Sequence, residues 1–582
     1  MAHSHLWRFV AQAIGFAILI AGLLVLIGFP VATVFQAAWA GQSSTEPGPS
    51  LATQKVSLAF QTVMLVLLTL AMALPIGVVT ALVLFRTDVP GRTLWGLLML
   101  LPALVPLDLH ATAWLATLGP QGLAKWIGLP IELNGLAGAA WVHAMASISW
   151  VVALVGAASS IVESELEEDC LLLVGPLRTM WHVTVRRSAG AIVAAGLIVA
   201  VQTSGEMAIT DLLQVRTYAE TVYTEFAVHG RVGAATATAM PGLAVWLVLV
   251  ALAVWLVVRN VPQDSQALFA RRPLFRLGAG RWWCLAGSVL VVAATLGVPA
   301  TSLVWRAGLH YPRRLPSANT ADAVPRIAAP ATPSHTQPAQ PHWSFQTLRE
   351  NTVRSARSAG DQLQLSLMVA AATAILCAPV AWLLVAIARS SRLGRWLVTG
   401  IACVLFALPG PVLGIGLKLA TGRPGLWWRG DESILGVVAA WSDRLSDSPA
   451  VLVWLHCLRT VPYAIAVLWP VLRLVNRGLL EAAEIDGAGA FGRFWHVELP
   501  ACRAGVVAAA LVCAVLSVGE LAGSVIVCPP GQQPLSVRIF SFAHYGMESH
   551  LAGICLLLLG VAAVGSLAVL LCLKWTVRSL RE

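Results

Sequence analysis

The chain has 582 residues, of which 58% are hydrophobic and 11% charged, and its mean hydropathy is +0.78. Soluble domains carry about 25% charged residues, so composition excludes a soluble globular protein and points to an all-α polytopic membrane protein. The formal charge of +10 does not indicate nucleic acid, because the basic residues stand singly near the ends of apolar runs and only four are lysines, Lys55, Lys125, Lys418 and Lys574.

In chain order, twelve apolar runs are long enough to cross a ~30 Å hydrocarbon layer as helices. They fall at about 9–36, 56–85, 93–118, 135–162, 189–213, 234–258, 282–306, 364–388, 395–420, 449–475, 504–527 and 550–574. Arg8 precedes the first run, which is too long for a signal-peptide core and reads as a retained helix. With a cytoplasmic N-terminus, the cytoplasmic segments of the first half hold eleven arginines against four basic residues outside, which places both termini in the cytoplasm. The ten cysteines form no CxxC pair, and Cys377, Cys403, Cys513 and Cys572 fall inside apolar runs as small hydrophobes. Trp39, Trp282, Trp283 and Trp575 at run ends read as interfacial belts. The external segment 307–350, rich in Pro, Ala, Ser and Thr, reads as an extended or disordered connector, and the spacing of its His310, His335 and His342 does not describe a metal site.

An internal repeat organises the chain. Trp181-His182-Val183 recurs as Trp495-His496-Val497, Gly205-Glu206 as Gly519-Glu520 and Glu167 as Glu481, all at an offset of 314 residues. Pro75 and Pro379, and Gly91-Arg92 and Gly394-Arg395, match at offsets of 304 and 303. The expectation is two parallel six-helix copies, 1–265 and 266–582, both inserted the same way up.

The segment 481–500, EAAEIDGAGAFGRFWHVELP, opens with a helix of small residues and is broken by Gly487 and Gly489. Phe491, Phe494, Trp495 and Val497 then place apolar groups on a short helix, and Pro500 suits the start of the next one. Physically this is either an interaction surface or an interfacial helix on the headgroups. Glu481, Ala482, Ala483, Gly487, Val497, Leu499 and Pro500 occupy the positions of the EAA loop, and the chain thereby resembles the permeases of binding-protein-dependent ABC importers. That resemblance implies a coupling helix that docks on a cytoplasmic ATPase subunit, with Glu481 and Gly487 shaping the loop and the stretch around Ala488 to Trp495 making contact. It also implies two ATPase copies and an extracytoplasmic solute-binding protein as partners, beside membrane lipid and no nucleic acid. The first copy departs from the pattern: Glu167 is kept, Glu168-Asp169 replace the alanines, Leu173 replaces the glycine, and Gly175, Trp181 and His182 remain. Its docking handle is expected to form and to bind differently.

No lysine follows a glycine, so no GxxxxGK[ST] phosphate loop exists and the chain is not expected to be an enzyme or to hold a cofactor. Gly205-Glu206 and Gly519-Glu520 place carboxylates in apolar runs, where they are candidates for the translocation path or caps of broken helices. Gly519-Glu520-Leu521-Ala522-Gly523 resembles the Gly-Glu-Phe-Gly segment of permeases serving ferric iron, thiamine, sulfate, molybdate and polyamines, departing from it at Leu521 and Ala522. Asp108, His110 and Lys418 read as snorkelling toward water, and Asp211 as interfacial. By the resemblance the cargo is ferric iron, the alternatives being thiamine or another small solute such as sulfate, molybdate, polyamine or phosphonate. A proton-coupled secondary transporter using Glu206 and Glu520 is the reading of another class.

Overall fold

The computed structural model describes residues 26–39, 49–120, 122–260, 274–310, 342–422, 444–473, 477–545 and 549–579, together with residues 22 and 475. The fold is that of an all-α polytopic membrane protein. Among the described residues eight helices are long and apolar enough to cross a bilayer, or up to eleven if each bent pair is one span.

The first half begins with α1 (Leu26–Trp39), the described part of the first expected span, and α2 (Pro49–Arg86). The third span is broken into α3 (Arg92–Leu100) and α4 (Leu107–Leu118). Then come α5 (Gly135–Ser159), α6 (Ser164–Val174), α7 (Ala189–Gly205), the short α8 (Ala208–Leu212), α9 (Tyr218–Ala227) and α10 (Val232–Asn260). The second half opens with α11 (Gly280–Val292) and α12 (Val298–Gly308), joined by a π turn. A two-stranded antiparallel ribbon follows, β1 (Leu309–His310) with β2 (His342–Trp343), and then α13 (Phe345–Ser358). Next are α14 (Gly360–Ser390), the bent pair α15 (Arg392–Ala407) and α16 (Gly410–Ala420), α17 (Ala450–Arg473), α18 (Arg477–Ile485), α19 (Leu499–Val518), α20 (Ser524–Val527), α21 (Leu535–Ala543) and α22 (Ser549–Ser579).

Two corrections to the expected order have local causes. The connector at 307–350 is not structureless throughout: strand pairing brings His310 and His342 ring to ring at 5.1 Å, and α13 starts at Phe345. The helix is amphipathic and lies on α12 and α22, where the Ser355 hydroxyl donates to the His550 carbonyl at 2.9 Å. The stretch 311–341, including His335, lies outside the described residues, as does most of the first expected span. Glu206 and Glu520 stand not inside spans but just past their ends, because α7 stops at Gly205 and α19 at Val518.

The core interleaves the two halves. Ala235, Leu243 and Trp246 of α10 pack with Leu405, Val412, Leu413, Leu452 and Leu455 of α15 to α17. In the reverse sense, Leu109 and Ala113 of α4 pack with Leu303 of α12 and with Ile554 and Leu558 of α22. Outward-facing Val63, Leu67, Val248, Leu290, Ile375 and Val564 are each more than half exposed, which is the face a lipid tail covers.

Candidate functional site

The site forms where two bent spans meet two unravelled ones. Proline has no N–H and its ring disfavours helix in the residue before it. Val105 (ψ 133°) and Leu408 (ψ 116°) are accordingly extended, and Pro106 and Pro409 start the following helices. The result is a 104° bend between α3 and α4 and a 102° bend between α15 and α16. Each bend receives the helix end of the opposite half. Gly205 faces Pro409, and Gly519 faces Pro106.

Past each glycine the carboxylate turns back onto the next short helix. Glu206 Oε1 accepts from the Ala208 N–H at 2.6 Å and Oε2 from the Ile209 N–H at 3.0 Å. Glu520 Oε1 accepts from the Gly523 N–H at 3.1 Å. Both glutamates therefore cap a broken helix, satisfying N–H groups that lack an intrahelical acceptor. The two carboxylates and both glycines nevertheless line one cavity of about 170 Å³ between the halves, together with Asp108, His143, Arg459 and Tyr463.

The charged pair in the second-half wall of this cavity is closed, and His456, which is not among the lining residues, is satisfied as well. Arg459 Nε lies 3.3 Å from Glu520 Oε2, and its Nη1 donates to the Leu408 carbonyl, freed by the bend, at 2.9 Å. His456 meets the Ser517 and Ser524 hydroxyls at 2.6 and 2.8 Å. Sequence reasoning missed Arg459, His143 and His456. The available signal was Trp141-x-His143 recurring as Trp454-x-His456 at an offset of 313, beside the other repeats. Asp108 and His110 do not snorkel: they are 2% and 3% exposed, because α4 is enclosed by both halves.

Outside the spanning helices, Asp211 pairs across the halves with His544, Oδ2 to Nε2 at 2.9 Å. The hydrogen bond from Asp211 raises the imidazole pKa above its usual value against the opposing effect of burial. A raised folded-state pKa means that this stabilisation is full below the unfolded value of about 6.5 and is lost as pH rises through the folded one. At this exposure it is worth less than about 1 kcal/mol. Thermal unfolding between mildly acidic and mildly alkaline pH is expected to show a small loss of stability that His544→Gln removes; an unchanged pH profile in the variant would remove the pair from the account.

The two polar loops share a plan of helix, glycine turn, short helix and π turn. In the second, Glu481, Ala482 and Gly487 are exposed and Ala483 is half-buried on or after α18, and Gly487 takes φ +79°. An ion pair between Glu484 and Arg493 bridges that turn. The short helix is not free-standing. It runs through the π turn Phe494–Glu498 into α19, whose first turn holds Leu499 and Pro500, so that Phe494 packs edge-on against Trp382 at 5.4 Å while Trp495 is 49% exposed.

In the first loop Gly175, also at φ +79°, makes the turn two residues later than the aligned Gly487. Leu173 is thereby left on α6, 84% exposed beside Leu172, Leu177 and Trp181, while His182 Nδ1 lies 2.8 Å from the Arg178 carbonyl. Glu167 is turned inward. It is fully buried, ion-paired with Arg86, and accepts from the Thr184 hydroxyl at 2.6 Å. In the second loop the corresponding Arg389 reaches Glu498 instead, at 3.4 Å.

Comparison with known proteins places this geometry. Residues 371–581 match the family described as binding-protein-dependent transport system inner membrane component. The molybdenum transport system permease protein ModB of Haemophilus influenzae is 27% identical over 234 residues, spanning 38% of this chain and 94% of that protein.

Proposed function

We propose that this chain, a multi-pass inner-membrane transport component with an importer-permease segment at 371–581, is a fused two-copy permease of a binding-protein-dependent ABC importer. The copies are 1–265 and 266–582, and both termini are cytoplasmic. The observation that carries the proposal is the pair of loops, each turning at a glycine of φ +79° and exposing apolar groups, the better-matched of which lies inside 371–581. ATP hydrolysis belongs to a separate subunit, and members of this permease family are transport subunits rather than enzymes. Two ATPase copies grip the loops through the region around Ala488 to Trp495 and through the first loop at Gly175, Trp181 and His182. Their movement rocks the halves about the Gly–Pro contacts, and a solute-binding protein delivers cargo from outside. Glu206, Gly205, Glu520 and Gly519 line the path.

Ferric iron is the cargo we assign, with thiamine, sulfate, polyamine or phosphonate as alternatives. Molybdate is a second reading, favoured by the resemblance to ModB.

The test is copurification with the ATPase and cargo-stimulated hydrolysis in lipid. Leucine at Gly487 must adopt a left-handed backbone that costs about 1–2 kcal/mol. Gly487→Leu is therefore expected to reduce coupling several-fold, and Leu173→Gly, on a helix already followed by its own glycine turn, much less. Equal effects would remove the asymmetry. Uptake that collapses with the proton gradient and needs no ATPase would instead support a secondary transporter.

A further inference from the structure

We propose that the cavity wall contributed by the first half, Asp108, His143 and Glu206, is a transit site for a metal cation. The inference rests on the permease reading and adds a site to it. Asp108 is 2% exposed and lines the cavity, and its carboxylate has no side-chain hydrogen-bond partner, only the backbone N–H groups of Asp108 and Leu109 beside it. His143 is equally buried, and its Nε2 has no hydrogen-bond partner and lies 3.8 Å from Glu206 Oε2. The carboxylates of Glu206 and Glu520 are within Coulombic reach of Asp108. A charge buried without a partner costs several kcal/mol, so a wall of this kind is stable with a cation or a proton in it.

The second half shows what a finished wall looks like. There Arg459 neutralises Glu520 and two hydroxyls meet His456. In the repeat, Ala146 stands where the second half has Arg459, so the first-half carboxylates have no built-in cation, although Glu206 accepts the Ala208 and Ile209 N–H groups. The cavity, about 170 Å³, is smaller than the roughly 300–1,000 Å³ of sites for drug-sized molecules and holds an ion with some of its water. Among the described residues no three His, Cys, Asp or Glu side chains stand close enough to hold an ion as a resident ligand set. That suits passage, because a conducting site must release what it binds. Carboxylate oxygens select hard cations.

The experiment uses the full chain with its ATPase and binding protein in liposomes, with radiolabelled ferric citrate, thiamine and molybdate as probes. ATP-dependent iron uptake is expected, reduced at least tenfold by Asp108→Asn but not by Asp108→Glu, with the purified Asp108→Asn chain still folded by thermal unfolding. Iron uptake that survives Asp108→Asn, or uptake of molybdate or thiamine instead, overturns the cation site while leaving the permease reading intact. Absence of ATP-dependent uptake of every probe overturns both.

Discussion

Gly519→Ala is expected to lower ATP-driven uptake at least about fivefold and to raise cargo-independent ATP hydrolysis, whereas Gly205→Ala is expected to change either by less than about twofold. The two positions are equivalent in the repeat and differ in clearance. A Cβ on Gly519 falls 2.7 Å from Pro106 Cβ and closer still to its Cγ. A proline ring cannot swing aside, so the halves must part at that point. On Gly205 the nearest atoms, Pro409 Cβ and Cγ, are 3.7 Å away, an ordinary contact. Overpacking of this kind costs about 1–3 kcal/mol. That strain falls on the conformation with the halves in contact and shifts its population roughly 5- to 150-fold. Uptake and hydrolysis measured in one reconstitution decide the matter, and equal behaviour of the two alanine variants would show that the clearance has no bearing on transport.

The second large effect is expected at Glu167. Substitution to glutamine leaves the Arg86 guanidinium, 1% exposed and stacked over Phe275 at 5.6 Å, buried without its carboxylate. Removing one member of a buried pair costs about 3–5 kcal/mol. The loss is placed where the first polar loop, the end of α2 and residues 275–277 meet, the Asp88 carboxylate accepting the Leu277 N–H there at 2.9 Å. Glu167→Gln should therefore lower the unfolding temperature of the purified chain by several degrees. Glu481→Gln, at an exposed position, should leave it within the ±0.5 kcal/mol of ordinary surface changes and act on ATPase coupling alone. If both variants unfold like the parent, Glu167 is not the fastening of the first loop. The repeat thus uses one residue in two ways: Glu167 holds its loop to the body of the protein, and Glu481 is left facing outward.

The sequence by itself determined the membrane class, the approximate position of the eight long spans found among the described residues, and the polar loop at 481–500. Those features are local. About 20 apolar residues in a row, a glycine between two helical stretches and a proline at a helix start each act through their own neighbours. The repeat in Trp181-His182-Val183 and Trp495-His496-Val497 was readable for the same reason. What only the tertiary structure decided lies between the halves. Pro106 and Pro409 are visible as prolines, but that they meet Gly519 and Gly205 depends on contacts some 200 to 400 residues apart, made by the packing of whole helices. Asp108 looked like a residue near a helix end with water in reach. It is enclosed because α12 and α22 of the other half cover α4, and no pattern along α4 carries that information. Burial in a membrane protein is set by which faces turn toward protein and which toward lipid. Since both are apolar, composition alone does not tell them apart.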